Sequence, residues 1–193
     1  MEKYQYFSPQ VFHIAENYLE AAERCLEGRP EEGSEALNAL LWPSEHCAII
    51  ACELFLKSLI AQTEKPEPGV IYTPTYETKF PIQKKNKQEI GTTHISPDLI
   101  NYIKTTQAGQ SVWGALGEQD QCFLLENTYR FAGTRYPFER NDIRPDKTHL
   151  KIAKKLQMLI RELIKADDNG NIILEMNIIT RHKKQSNSET PNI

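Results

Sequence analysis

Residues 44–62, SEHCAIIACELFLKSLIAQ, constrain this chain more than any other stretch. The segment is apolar nearly all round a helical wheel, which marks a helix enclosed by other elements rather than one laid on a surface. A helical bundle with this segment at its centre is the expected fold.

The flanking segments supply helices to surround it. Ser8-Pro9 reads as an N-cap and first-turn proline, with Val11, Ile14, Ala15, Tyr18, Ala22 and Cys25 recurring at three-to-four spacing behind it. Gly28 stops that helix and EGRPEEGSE is a polar connector. A shorter helical piece is expected over residues 34–41, with the central helix starting near Pro43-Ser44. Residues 64–93 contain four prolines, scattered aromatics and a lysine cluster. This composition predicts a long irregular insertion, of a length usually functional or mobile, with room for a short strand around Val70–Tyr72.

Ser96-Pro97-Asp98 opens another helix, DLINYIKT. After a glycine-containing turn, EQDQCFLLENTYRFAG is expected as one helix with Cys122, Leu125, Tyr129 and Ala132 on a stripe and Gly133 at its end. Pro145-Asp146 precedes a long amphipathic helix to about Ala166. Ala153, Leu156, Ile160 and Leu163 form its apolar stripe, and Lys151, Lys154, Lys155 and Arg161 lie away from it. Asp168-Asn169-Gly170 is a turn and NIILEMNII a strand. HKKQSNSETPNI is polar and expected to be disordered. The expected architecture is all-α: one domain over residues 1–170, then a short strand and tail over 171–193.

Length and composition agree with a single globular domain: 193 residues, 39% hydrophobic and 25% charged. With no apolar run near the length of a bilayer span, no membrane helix or membrane partner is expected. MEKYQYFSPQ shows no secretory signal, so a cytoplasmic location is expected. Cys25, Cys47, Cys52 and Cys122 lack zinc-site spacing and read as small buried hydrophobes; no metal or cofactor site is expected. Charge is uneven. Residues 1–64 hold eleven carboxylates against four Lys or Arg, and residues 129–165 hold ten Lys or Arg against four carboxylates. Either the basic part attracts a polyanion, or the acidic part faces it inside the fold.

Four stretches then fall in a familiar order. NYLEAAERCLEG is followed by HCAIIACELFLKSLI, which carries His46, Glu53 and Lys57. HISPDLINYI carries His94 and Asp98, separated by three residues, and TYRFAGTRYP carries Arg135, Tyr136 and Pro137. Together they resemble the HEPN family (the higher eukaryotes and prokaryotes nucleotide-binding domain) over residues 17–137. The resemblance implies a compact helical bundle that forms a two-fold homodimer around its last helices. Many members are metal-independent ribonucleases, often prokaryotic toxins or defence effectors with a cognate antitoxin. These use an arginine followed four to six residues later by a histidine. Arg144 and His149 have that spacing just before the last helix, although Pro145 stands where the family usually has a polar residue. The branch with the Arg-Tyr-Pro signature usually lacks the pair and is inferred to bind nucleotides or to accompany a nucleotidyltransferase. The first branch implies RNA as ligand and the second a nucleotide or a partner protein. Arg135 and Tyr136 of the signature, with Arg140, Lys147 and Lys151 of the basic segment, are the expected nucleotide- or RNA-binding residues.

The chemistry of the pair is sound. Internal attack in RNA requires a proton to leave the 2′-hydroxyl and one to reach the 5′-oxygen, and an imidazole does both near neutrality. A guanidinium stabilises the charge growing on the phosphate. The bland alternative is equally specific. His149 lies four residues before Ala153 and seven before Leu156, continuing the apolar stripe, and Arg144 can pair with Asp142 or Asp146. In a chain with five histidines the bare spacing is met by chance about as often as not. His46 and Glu53, seven apart, either line a pocket or belong to a core polar network.

Overall fold

The computed structural model describes residues 4–28, 35–63, 95, 97–127, 130, 144–166 and 172–174. The insertion 64–93, the strand expected at Val70–Tyr72, and the residues His94, Arg135, Tyr136 and Arg140 lie outside them. So do the 168–170 turn and the tail beyond 174. The fold is all-α. Its described helices are α1 (Pro9–Arg24), α2 (Glu35–Ser58), α3 (Pro97–Ile103), α4 (Gln107–Leu116), α5 (Glu118–Glu126) and α6 (Thr148–Leu163). Two short antiparallel pairs accompany them. One joins β1 (Tyr4–Tyr6) to β2 (Ala61–Thr63) and the other joins β3 (Ile164–Ala166) to β4 (Ile172–Leu174). The strand expected after the last helix is present in β4, and that helix ends at Leu163 because residues 164–166 pair with it.

As expected, α2 is the central helix, packed against both α1 and α6. Phe55, Leu56, Ile60 and Cys52 are fully buried, and Phe12 of α1 meets Phe55 with ring centroids 5.3 Å apart. Two polar ties set the antiparallel register of α1 and α2. The Ser8 amide donates to the Ser58 carbonyl at 2.8 Å, and Ser44 Oγ donates to the Ala22 carbonyl at 2.8 Å. Ser8 also caps α1, accepting from the Val11 amide at 3.2 Å.

Several sequence-based expectations are corrected. The pieces 34–41 and 43 onward are one helix, with Pro43 inside it. Pro43 and Ala39 are both exposed, so water can satisfy the carbonyl that the proline leaves without a donor. Ala39–Ser58 is, by length and composition, long and apolar enough to cross a bilayer, a property the run-length reading missed. In the fold its sides are taken by α1 and α6. On α1 the inward stripe is Val11, Phe12, Ala15, Leu19 and Ala22, while Ile14 and Tyr18 are exposed. Phe12 and Leu19 bury more apolar area in the inward phase, so they set the rotation of the helix. The segment read as a turn before Gly117 contains α4, and the next helix stops at Glu126 with Leu124, not Leu125, buried. Cys122 is exposed rather than buried.

Part of the charge asymmetry closes between α1 and α6. Glu16 of α1 accepts from Gln157 Nε2 at 2.9 Å and Arg161 Nε at 3.0 Å, and Glu23 pairs with Lys154. Burial alone would raise the Glu16 carboxyl. Hydrogen bonds from Arg161, Gln157 and His13 outweigh it and hold the group below the usual carboxylate range. A depressed folded pKa contributes stability that is present above the unfolded value and lost as pH falls through the folded one. Arg161→Ala is therefore expected to move the Glu16 titration upward, followed by carboxyl carbon NMR, and to weaken the protein at neutral pH more than in acid. An unmoved titration would show that the pair does not hold in solution.

Candidate functional site

The residues before α6 meet a buried carboxylate that sequence reading did not single out. Glu45 lies on the inward phase of α2 with Leu41, Ala48 and Cys52, and its side chain is 0% exposed. A carboxylate withdrawn from water must recover its hydration energy from donors, and three converge here. Arg130 Nε donates to Oε1 at 2.7 Å, and the Asp146 amide donates to Oε2 at 3.2 Å. His149 Nδ1 lies 3.1 Å from Oε1. Since a carboxylate only accepts, the ring must carry its proton on Nδ1 in this contact.

Arg130 extends the network toward the surface. Its Nη2 donates to the Arg144 carbonyl at 2.6 Å and pairs with Asp146 Oδ2 at 3.1 Å. The other Asp146 oxygen accepts from the Thr148 amide at 2.7 Å, satisfying one of the open donors in the first turn of α6. Cys52 Sγ lies 3.5 Å from the His149 carbonyl, and burial pushes this thiol well above its ordinary range. The His149 ring packs edge-on against Phe123, centroids 4.8 Å apart. One α2 carboxylate thus gathers Arg130, the loop 144–146 and the first residues of α6.

The two members of the sequence-derived pair enter this network in different ways. His149 is 2% exposed and continues the stripe of Ala153 and Leu156. Arg144 is exposed and contributes its carbonyl, while Asp146, one of its expected partners, pairs with Arg130 instead. Lys147 is half-buried at the N-cap position of α6, and Lys151 is exposed one turn further on. Along the rest of α6, Lys154 is paired with Glu23, Lys155 with Asp120 and Arg161 with Glu16. Among the described residues, positive charge on α6 without a carboxylate partner is at Lys151, near its N-terminal end, with Arg144 just before the helix.

Glu53 and Lys57 form a second internal pair about two and three turns further along α2, both buried. His46 is half-buried and His13 is exposed with Nδ1 3.0 Å from Glu16. Among the described residues no group of three or more His, Cys, Asp or Glu side chains is arranged to hold a metal ion. The signal that could have exposed the hub was present: Glu45 lies at i+4 from Leu41 and three before Ala48, a carboxylate in a buried helical phase. Such a position calls for a cation, and Arg130 lies 85 residues away. No family model, curated protein or solved structure matches this chain.

Proposed function

We propose that the chain is a HEPN-like helical module that binds the phosphate groups of a nucleotide or RNA at the N-terminal end of α6, without cleaving through Arg144 and His149. The observation that carries this reading is the commitment of His149 to the interior. It is 2% exposed, with Nδ1 against Glu45 and the ring edge-on to Phe123. A general acid or base has to come within hydrogen-bond reach of the oxygen it serves. An imidazole this enclosed is suited to holding α6 on α2, while Arg144 and Lys151 beside it face solvent and suit phosphate.

Binding to the folded state alone raises its stability, by about 2.7 kcal/mol at a hundredfold excess over Kd. A nucleoside triphosphate or short single-stranded RNA is therefore expected to raise the melting temperature of wild type and much less that of Arg144→Ala with Lys151→Ala. Equal shifts in both proteins sink the reading. One feature favours the ribonuclease alternative: a carboxylate on Nδ1 is the partner that fixes the tautomer of a working imidazole. Incubation with RNA in the presence of chelator separates the two. Cleavage to cyclic-phosphate ends, lost in His149→Ala and Arg144→Ala variants that still melt cooperatively, establishes the nuclease.

A further inference from the structure

We infer that Arg130 and Asp146 are positioning residues for this phosphate-binding edge, setting the ligand affinity of Arg144 without touching the ligand. The inference rests on the phosphate-binding reading above. Residues 144–146 belong to no helix or strand, yet one guanidinium grips them on both sides of Pro145. Arg130 Nη2 takes the Arg144 carbonyl at 2.6 Å and the Asp146 carboxylate at 3.1 Å. The Asp146 amide is held in turn by Glu45 at 3.2 Å. Pro145 has no amide hydrogen of its own and restricts residue 144 to extended backbone. The direction in which the Arg144 side chain leaves the surface is therefore set by proline geometry and by Arg130.

A side chain projected from a held backbone loses less freedom when it meets a ligand than one projected from a loose loop. The difference corresponds to about three- to tenfold in affinity. Asp146→Asn isolates this contribution. Its side chain is 41% exposed, and an asparagine oxygen can still accept from the Thr148 amide, so the fold is retained. The lost oxygen is the one that pairs with Arg130. Charge alone makes the opposite forecast, since removing a negative group beside Arg144 should tighten phosphate binding.

The experiment is a double-mutant cycle on the full chain: wild type, Asp146→Asn, Arg144→Ala and the double variant. Affinity is read by anisotropy of a short fluorescein-labelled single-stranded RNA, and then with a labelled nucleoside triphosphate. Positioning is supported if Asp146→Asn weakens binding about three- to tenfold in the wild-type background and has no further effect once Arg144 is alanine. Arg130→Lys, which keeps charge but not the fork, should show the same dependence on Arg144. Tighter binding by Asp146→Asn, or effects that simply add, overturns the positioning role and leaves the binding site intact. Unchanged affinity in Arg144→Ala overturns the phosphate-binding reading itself. Coupling seen with the triphosphate alone identifies a nucleotide site; coupling seen with RNA alone identifies a nucleic-acid site.

Discussion

Glu45→Ala is expected to lose about 3–5 kcal/mol of folding stability, the range for removing one partner of a buried charge pair. Three donors then face a cavity: Arg130 Nε, His149 Nδ1 and the Asp146 amide. Arg130 keeps Asp146 and the Arg144 carbonyl, so its charge is not wholly abandoned. The loss of Glu45 nevertheless detaches α2 from the segment that starts α6. Glu45→Gln, which keeps the shape and one acceptor oxygen, should cost less than the alanine variant. His149→Ala should be milder as well, because it leaves the carboxylate with two donors. Guanidinium unfolding followed by circular dichroism measures all three, with an unchanged m-value confirming that stability rather than compactness has moved. A loss under about 1 kcal/mol for Glu45→Ala would mean that the hub is solvated in the folded protein.

Gly109→Ala is expected to destabilise the protein by about 2 kcal/mol or more, against the direction of helix propensity. Alanine is about 1 kcal/mol better than glycine inside a helix. At this position, however, a Cβ would lie 2.2 Å from the Ile103 carbonyl oxygen, 2.6 Å from Ile103 Cγ2 and 2.7 Å from Thr106 Oγ1. Two of those atoms belong to Ile103, the last residue of α3, and the third to Thr106, the N-cap of α4. Thr106 caps α4 by accepting from the Gly109 amide at 3.0 Å, and its own hydroxyl donates to the Ile103 carbonyl at 3.1 Å. Relief of the clash must displace backbone and cap together, so overpacking outweighs propensity. Gly114 in the same helix provides the control, because a Cβ there meets nothing within 4 Å. Gly114→Ala should stabilise by about 0.5–1 kcal/mol, and the opposite signs of the two substitutions are the diagnostic result. If Gly109→Ala also stabilises, the close approach of α3 to α4 is absent in solution.

In α1, in α2 beyond Pro43 and in α6, local signals and tertiary packing agree. Ser8-Pro9 starts α1, and the apolar girth of residues 44–62 predicts a central helix that α1 and α6 enclose. The stripe Ala153, Leu156 and Ile160 predicts the buried face of α6, and the bland reading of His149 as the next residue in that stripe describes its position. Pro43 and α4 were misread for a shared reason. Glycine and proline mark turns on average, but each is tolerated in a helix where surroundings meet its particular need: exposure for the carbonyl near Pro43, and a close neighbour for Gly109.

Along the chain itself, periodicity and caps determined that this is an all-α protein with an enclosed second helix, since those signals depend on residues within a turn or two of each other. Tertiary structure decided the rest. It brought the acidic face of α1 against the basic face of α6, joining Glu16 to Arg161 and Glu23 to Lys154 in pairs at the surface between the two helices. It also chose Arg130 as the partner of Glu45 and drew the loop 144–146 and His149 to the same carboxylate. A buried charge announces by its helical phase that it needs a counter-charge. Which of many arginines supplies it depends on distances that exist only once the chain has folded.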